Sequence, residues 1–250
     1  MKGQLIKNQE TVSGGNMAES AIEALKTSKS PHVLVEDITQ PNLSEEKHHH
    51  LRKVLRIKPN SLLTATDGNG SWGAFAYTGE VLDPVGDIRS DERPSPSITI
   101  AISLTKGGKP DITIQKLTEI GVDEVILFSA ENSIPLWDFS KRLKNEQRLR
   151  RISQSALEQS KGVWLPKLTF ANSFSDVAEI PNMSIADVRG DPLIENCRCL
   201  AVGPEGGWSP DEYSFGLPRV SLGHNILRAE TAAIVAGSLM ASLRNSGRTL

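Results

Sequence analysis

The chain has 250 residues, 38% hydrophobic and 23% charged, with a formal net charge of −2. That is enough for one large domain or two ordinary ones of a soluble globular protein, and near-neutrality argues against wholesale coating of nucleic acid. No apolar run has the length of a membrane span and no secretory leader is visible, so a cytoplasmic protein is expected. Residues 1–29 are polar, carry Gly14-Gly15 and read as an N-terminal arm, with Met17 as an alternative start. Pro31 to Asp37 reads as a short strand. Ser44 then caps a helix to about Leu55, with Glu45 and Glu46 in its first turn. On it Leu51, Val54 and Leu55 are expected inward and Arg52, Lys53 and Arg56 outward. His48-His49-His50 make a poor chelate, because adjacent residues do not share a helix face, and no metal is expected.

Leu62–Thr66, the turn Asp67-Gly68-Asn69-Gly70 and Trp72–Tyr77 form a hairpin pattern, and Val81 to Ile88 adds a further strand. Arg89 to Ser97, with Pro94 and Pro96, reads as a linker between a β-rich domain over 30–93 and a second domain over 97–250. The second domain opens with Ile98, Ile100, Ile102 and Leu104 in strand alternation, followed by the loop Thr105–Lys109. A helix from Asp111 carries Ile114, Leu117 and Ile120 and stops at Gly121, and Val122–Phe128 is the next strand. This β-α-β succession predicts a parallel sheet. The loop matches neither a Walker loop nor GxGxxG, which disfavours a dinucleotide oxidoreductase.

Asn145–Lys161 is a predicted helix with Leu149, Ile152 and Ala156 inward. Five Lys/Arg and no acid lie between Lys47 and Lys58, and seven Lys/Arg against Glu146 and Glu158 lie between Lys141 and Lys161. Two such patches suit a phosphate backbone, or are simply solvated helix faces. Ser184–Val188 is a strand ending in the turn Arg189–Pro192. Cys197 and Cys199 share a strand that runs to Val202, where a bond between them is not expected. Val202-Gly203-Pro204-Glu205-Gly206-Gly207-Trp208-Ser209 then reads as strand, glycine loop and helix cap, with Pro210 in the first turn and Glu212 completing a capping box. The strand Arg219–Leu222 ends in Gly223, and a small-residue helix from about Arg228 to Arg244, apolar nearly all round, is expected to be buried, in the core or shared between the core and a subunit interface. Two such loops at strand ends predict one pocket.

The pair GPEGG and Leu222-Gly223-His224-Asn225-Ile226-Leu227-Arg228-Ala229-Glu230-Thr231-Ala232 resembles the signature of the RsmE-type 16S ribosomal RNA uridine-N3 methyltransferases of the SPOUT superfamily. His49–Arg56, Lys116–Val122 and Ala156–Pro166 are similar to further strings of that family over residues 45–245, with one departure: Gly162 stands where the family usually has arginine. The resemblance implies an α/β SPOUT domain with a C-terminal trefoil knot, preceded by a small PUA-like β-barrel that grips RNA. It implies S-adenosylmethionine as cofactor, a homodimer, and a uridine of 16S rRNA in the small ribosomal subunit as substrate. Cofactor contacts are expected from Val202, Gly203, Glu205, Gly206, Leu222, Gly223, Ile226 and Leu227, and RNA contacts from Arg52, Lys53, Arg56, Arg148, Arg151 and Lys161. Because uridine N3 carries a proton, Arg228 is expected to stabilise the uracil anion or hold a phosphate, and Glu205 and Glu230 to orient the base or take the proton. The rival readings are a methyltransferase of the same fold for another RNA position and a non-catalytic RNA-binding relative.

Overall fold

The computed structural model describes residues 29–104, 109–133, 139–193 and 196–246. The N-terminal arm before residue 29 and the loop Thr105–Gly108 lie outside the described residues. The chain divides into two compact units, residues 1–92 with Lys161–Val163, and residues 93–160 with 164–250.

The smaller unit holds a five-stranded mixed sheet. Strands β1 (His32–Leu34), β2 (Ser61–Thr66), β3 (Ser71–Tyr77) and β4 (Leu82–Pro84) follow in that order, and β5 (Arg89–Ser90) also pairs with β3. β1 runs parallel to β2, and β2–β3 is an antiparallel hairpin. Its turn closes because Asp67 Oδ1 accepts from the Asn69 and Ser71 amides, while Gly68 and Gly70 take positive φ of 72° and 96°. The predicted strand Val81–Ile88 is shorter, ending at Pro84. Val33, Leu51, Leu63, Phe75 and Tyr77 form the core.

Helix α1 (Glu45–His49) starts at Ser44, whose side chain accepts from the Lys47 amide. It then widens into a π-helical turn, His50–Val54, in which the Leu55 amide donates to His50 O at 3.0 Å. The wider turn corrects the expected helical face. Leu51 is fully buried, but Val54 and Leu55 are 60% and 46% exposed, beside the exposed Arg52, Lys53 and Arg56. The segment Lys161–Val163 joins this unit: His32 Nε2 contacts Gly162 O at 3.0 Å, and Val163 O accepts from the Gly70 amide at 2.8 Å.

The larger unit is a parallel six-stranded sheet of β6 (Thr99–Ser103), β7 (Glu124–Phe128), β8 (Lys167–Phe170), β9 (Met183–Pro192), β10 (Cys199–Val202) and β11 (Arg219–Ser221), in the order β11-β9-β10-β6-β7-β8. Every residue of β6 is buried, because both faces are covered. Ile100 and Ile102 join a core with α2 (Lys109–Ile120), α3 (Phe139–Ser160) and α6 (Ala229–Ser246). Ala101 faces the other core, with α4 (Phe174–Ala178), Trp208 and Tyr213. The alternation in β6 therefore separates large from small side chains, not core from solvent. Helix α3 begins earlier than predicted, at Phe139.

α2 stops where Gly121 takes φ of 84°. α6 is locked by a buried ion pair: Arg244 Nη1 donates to Asp123 Oδ2 at 2.6 Å and Nη2 to Gly121 O at 2.9 Å. Removing one partner of such a pair costs about 3–5 kcal/mol, since it strands the other charge. α6 buries one face and leaves another open. Ala233, Ala236 and Met240 are fully buried, but Leu239 is 41% exposed and Thr231 and Ser238 are exposed with it.

Candidate functional site

β9 lies between β10 and β11, so the loops that leave these two strands flank the end of a third. They enclose a cavity of about 270 Å³. Val202, Gly203, Pro204, Glu205 and Gly207 line it from the first loop, and Leu222, Gly223, Ile226 and Leu227 from the second. Ala186–Arg189, Trp208 and Tyr213 close the third side. The carboxyl ends of parallel strands are where open α/β sheets bind ligands.

The first loop is held from several directions. Trp208 packs on Phe174 with centroids 4.8 Å apart, and its Nε1 donates to Ala186 O at 2.9 Å. Gly203 allows this, because a Cβ there would stand 2.8 Å from the indole. Helix α5 (Pro210–Ser214) starts from the predicted capping box: Ser209 Oγ accepts from the Glu212 amide at 3.1 Å and Glu212 accepts from the Ser209 amide at 2.8 Å. The buried Glu212 also accepts from the Glu131 amide at 3.1 Å, and Asn132 Nδ2 donates to Gly207 O at 3.0 Å. Gly206 is packed against Asn132 and does not line the cavity.

The second loop is open. Gly223 takes φ of 141° with nothing near a hypothetical Cβ, and Ile226 is 87% exposed. The cavity thus offers backbone edges and apolar side chains, the combination suited to an adenine ring.

Charge gathers at the first turns of α2 and α6. Lys109 Nζ donates to Glu205 Oε1 and lies 3.8 Å from Glu230 Oε2. The Lys109 hydrogen bond holds the Glu205 carboxyl below its usual range, and the same bond raises the Lys109 ammonium. Glu230 Oε2 is buried without a hydrogen-bond partner among the described residues. Arg228 is exposed, acts electrostatically on both Lys109 and Glu205, and makes no hydrogen bond or ion pair among the described residues. Glu205, Arg228 and Glu230 are therefore gathered around Lys109. Lys109 was missed, because no local pattern connects it to a glutamate 96 residues away. Asp187 and Tyr213, which also line the cavity, are paired with each other across 26 residues and carry no local signal either.

The expected RNA contacts differ in their setting. Arg52, Lys53, Arg56 and Arg151 are exposed. Arg148 Nη1 donates to Asp111, and its Nη2 to Asn145 at 3.2 Å. Lys161 is half-buried, with its ammonium pulled down by burial and 3.4 Å from Ser30 Oγ.

A family model described as an RNA methyltransferase domain matches residues 91–241, which contain the whole cavity. The chain is 29% identical to ribosomal RNA small subunit methyltransferase E of Synechocystis, over 88% of this chain and 78% of that one. Its fold is similar to a probable rRNA methyltransferase from Porphyromonas gingivalis, with TM-score 0.74, 30% identity and coverage of 87% and 100%. It is also similar to a ribosomal RNA small subunit methyltransferase E from Neisseria gonorrhoeae bound to S-adenosyl methionine, with TM-score 0.72, 26% identity and coverage of 86% and 98%.

Proposed function

The chain belongs to the RNA methyltransferase domain family, and from that premise we propose that it methylates N3 of a uridine in 16S rRNA of the small ribosomal subunit, using S-adenosylmethionine. The observation that carries this reading is the single cavity built by both glycine loops, with Glu205, Arg228 and Glu230 gathered beside it. The residues fit the cofactor. Gly203, Leu222 and Gly223 present main chain to an adenine edge, and Val202, Ile226 and Leu227 supply apolar cover. When bound, the cofactor supplies an electrophilic methyl group on a sulfonium.

The chain's own residues orient the uridine and move its proton. Arg228, exposed near Glu205 and making no hydrogen bond or ion pair among the described residues, would stabilise the uracil anion that forms as N3 loses its proton. Of the two carboxylates, Glu205 is engaged by Lys109 and kept a weak base. Glu230 Oε2, buried without a hydrogen-bond donor among the described residues and 3.8 Å from Lys109 Nζ, is left to accept the N3 proton.

The finer architecture follows the same reading. The segment from β10 to α6 forms a trefoil knot, and residues 30–93 form a PUA-like RNA-binding barrel that presents Arg52, Lys53 and Arg56. A second copy covers the open face of α6 at Leu239 and the loop at Ile226.

The test is methyl transfer from labelled S-adenosylmethionine to small ribosomal subunits lacking the modification, followed by mass spectrometry of the nucleosides. 3-Methyluridine is the expected product. A different methylated nucleoside would move the target to another RNA position. Cofactor binding without any transfer would favour a non-catalytic RNA-binding relative.

A further inference from the structure

The third side of the cavity contains a carboxylate with no assigned role. β9 pairs with β11 at Ile185 opposite Arg219, and then again at Asp191 opposite Val220. Its pairing with β10 covers only Met183–Ile185. Residues 186–190 are thus outside both ladders and bulge into the cavity wall, a common way for a strand to re-aim a side chain beside a site. The crossing is tight, since a Cβ on Gly190 would stand 2.5 Å from the Arg219 backbone.

The bulge turns Asp187 inward, with its side chain 4% exposed. Oδ1 accepts from the Arg189 amide at 2.9 Å and Oδ2 from the Tyr213 hydroxyl at 2.7 Å. The guanidiniums stand farther off, Arg189 Nε at 3.7 Å and Arg219 Nη1 at 3.9 Å, the latter stacked 4.4 Å over the Tyr213 ring. Burial opposes the charge, yet the two donors and two cations together hold the Asp187 carboxyl below its ordinary value. An ionised carboxylate accepts at about four lone-pair positions, and the short contacts use one on each oxygen. What remains suits a neutral donor, because a ligand cation would meet two arginines at the same place.

We propose that Asp187 is the ribose-binding residue of the cavity, its carboxylate accepting from a ribose hydroxyl of the nucleoside half of the methyl donor. The proposal rests on the cofactor reading above. Tyr213 is a positioning residue, acting by fixing the rotamer of Asp187.

Calorimetric binding tests this without turnover, using 5′-methylthioadenosine and its 2′-deoxy and 3′-deoxy analogues. The full-length protein is expected to bind at least one deoxy analogue about 10-fold or more weaker than the ribonucleoside, as for a hydrogen bond to a charged group. Asp187→Asn should shrink that gap about 10-fold, and Tyr213→Phe should shrink it less. Equal affinity of the unaltered protein for all three compounds overturns the proposal and needs no variant to fold. A gap that persists in a folded Asp187→Asn protein, verified by its melting temperature, also overturns it. If the unaltered protein binds neither methylthioadenosine nor S-adenosylhomocysteine, the cofactor reading falls and takes the proposal with it, a result distinct from equal binding of all three.

Discussion

The two loops that line the cavity are built on opposite plans. The loop after β10 is anchored by an indole, a buried capping box and two contacts from the segment after β7, Glu131 and Asn132. The loop after β11 is held at its ends by Leu222 and Leu227, partly buried against the core, and by Ser221 hydrogen-bonded to Gly223, while Ile226 between them is in solvent. The first loop has its ordering cost met by the fold, so its backbone edges are in place before a ligand arrives. The second leaves that cost to whatever binds it. One wall of the cavity is thus held by many contacts and the other by few, and Arg228 sits beside the second.

That contrast can be broken by substitution. Arg228→Ala should have the largest effect, lowering methyl transfer by about 100-fold or more while cofactor affinity and melting temperature stay unchanged. Unchanged turnover in the labelled-transfer assay would remove Arg228 from the chemistry. In the anchored loop, Glu212→Ala leaves the Ser209 and Glu131 amides without acceptors. A loss of about 1–3 kcal/mol in chemical denaturation is expected, together with weaker cofactor binding. Gly203→Ala forces a methyl against the Trp208 ring at 2.8 Å, and about 1–3 kcal/mol of overpacking should appear in the same experiment. In the open loop, Ile226→Ser should shift stability by less than about 0.5 kcal/mol and act only on cofactor affinity or self-association. A stability loss there as large as that of Gly203→Ala would erase the distinction between the loops.

Lys109 ties one loop to the helix that follows the other, and its pair with Glu205 gives the smallest predicted effect. Glu205 is depressed in the folded protein, so the stability it contributes is present above its unfolded value near 4.5 and is lost as pH falls through the lower folded value. Lys109 is raised, so its contribution is present below about 10.5 and is lost as pH climbs through the higher folded value. The pair should therefore be flat across neutral pH and fade only at the two extremes. Lys109→Met should return the Glu205 titration, followed by NMR, upward toward its ordinary value. No movement would show that Lys109 does not hold Glu205 in solution.

Much of this molecule is local chemistry that a linear chain displays. Ser209, Pro210 and Glu212 specify a helix start wherever they stand, and Asp67–Gly70 specify a turn, since each motif satisfies its own backbone within a few residues. The β6-α2-β7 unit and the two glycine loops were legible for the same reason. Their bounds and exposed faces were less so. The π turn at His50–Val54 turned Val54 and Leu55 outward against their pattern.

The sequence by itself determined the strand–loop–helix segments, the glycines at the turns and the identity of Glu205, Arg228 and Glu230 as a group worth placing together. Only the tertiary structure decided that β9 stands between the two loops, that Asp187 bulges into the cavity they form, and that Lys109 is the cation on Glu205. The reason is physical. Capping and turn bonds close within a few residues, whereas strand order, a bulge between ladders and an ion pair 96 residues apart depend on which surfaces the packed core brings face to face.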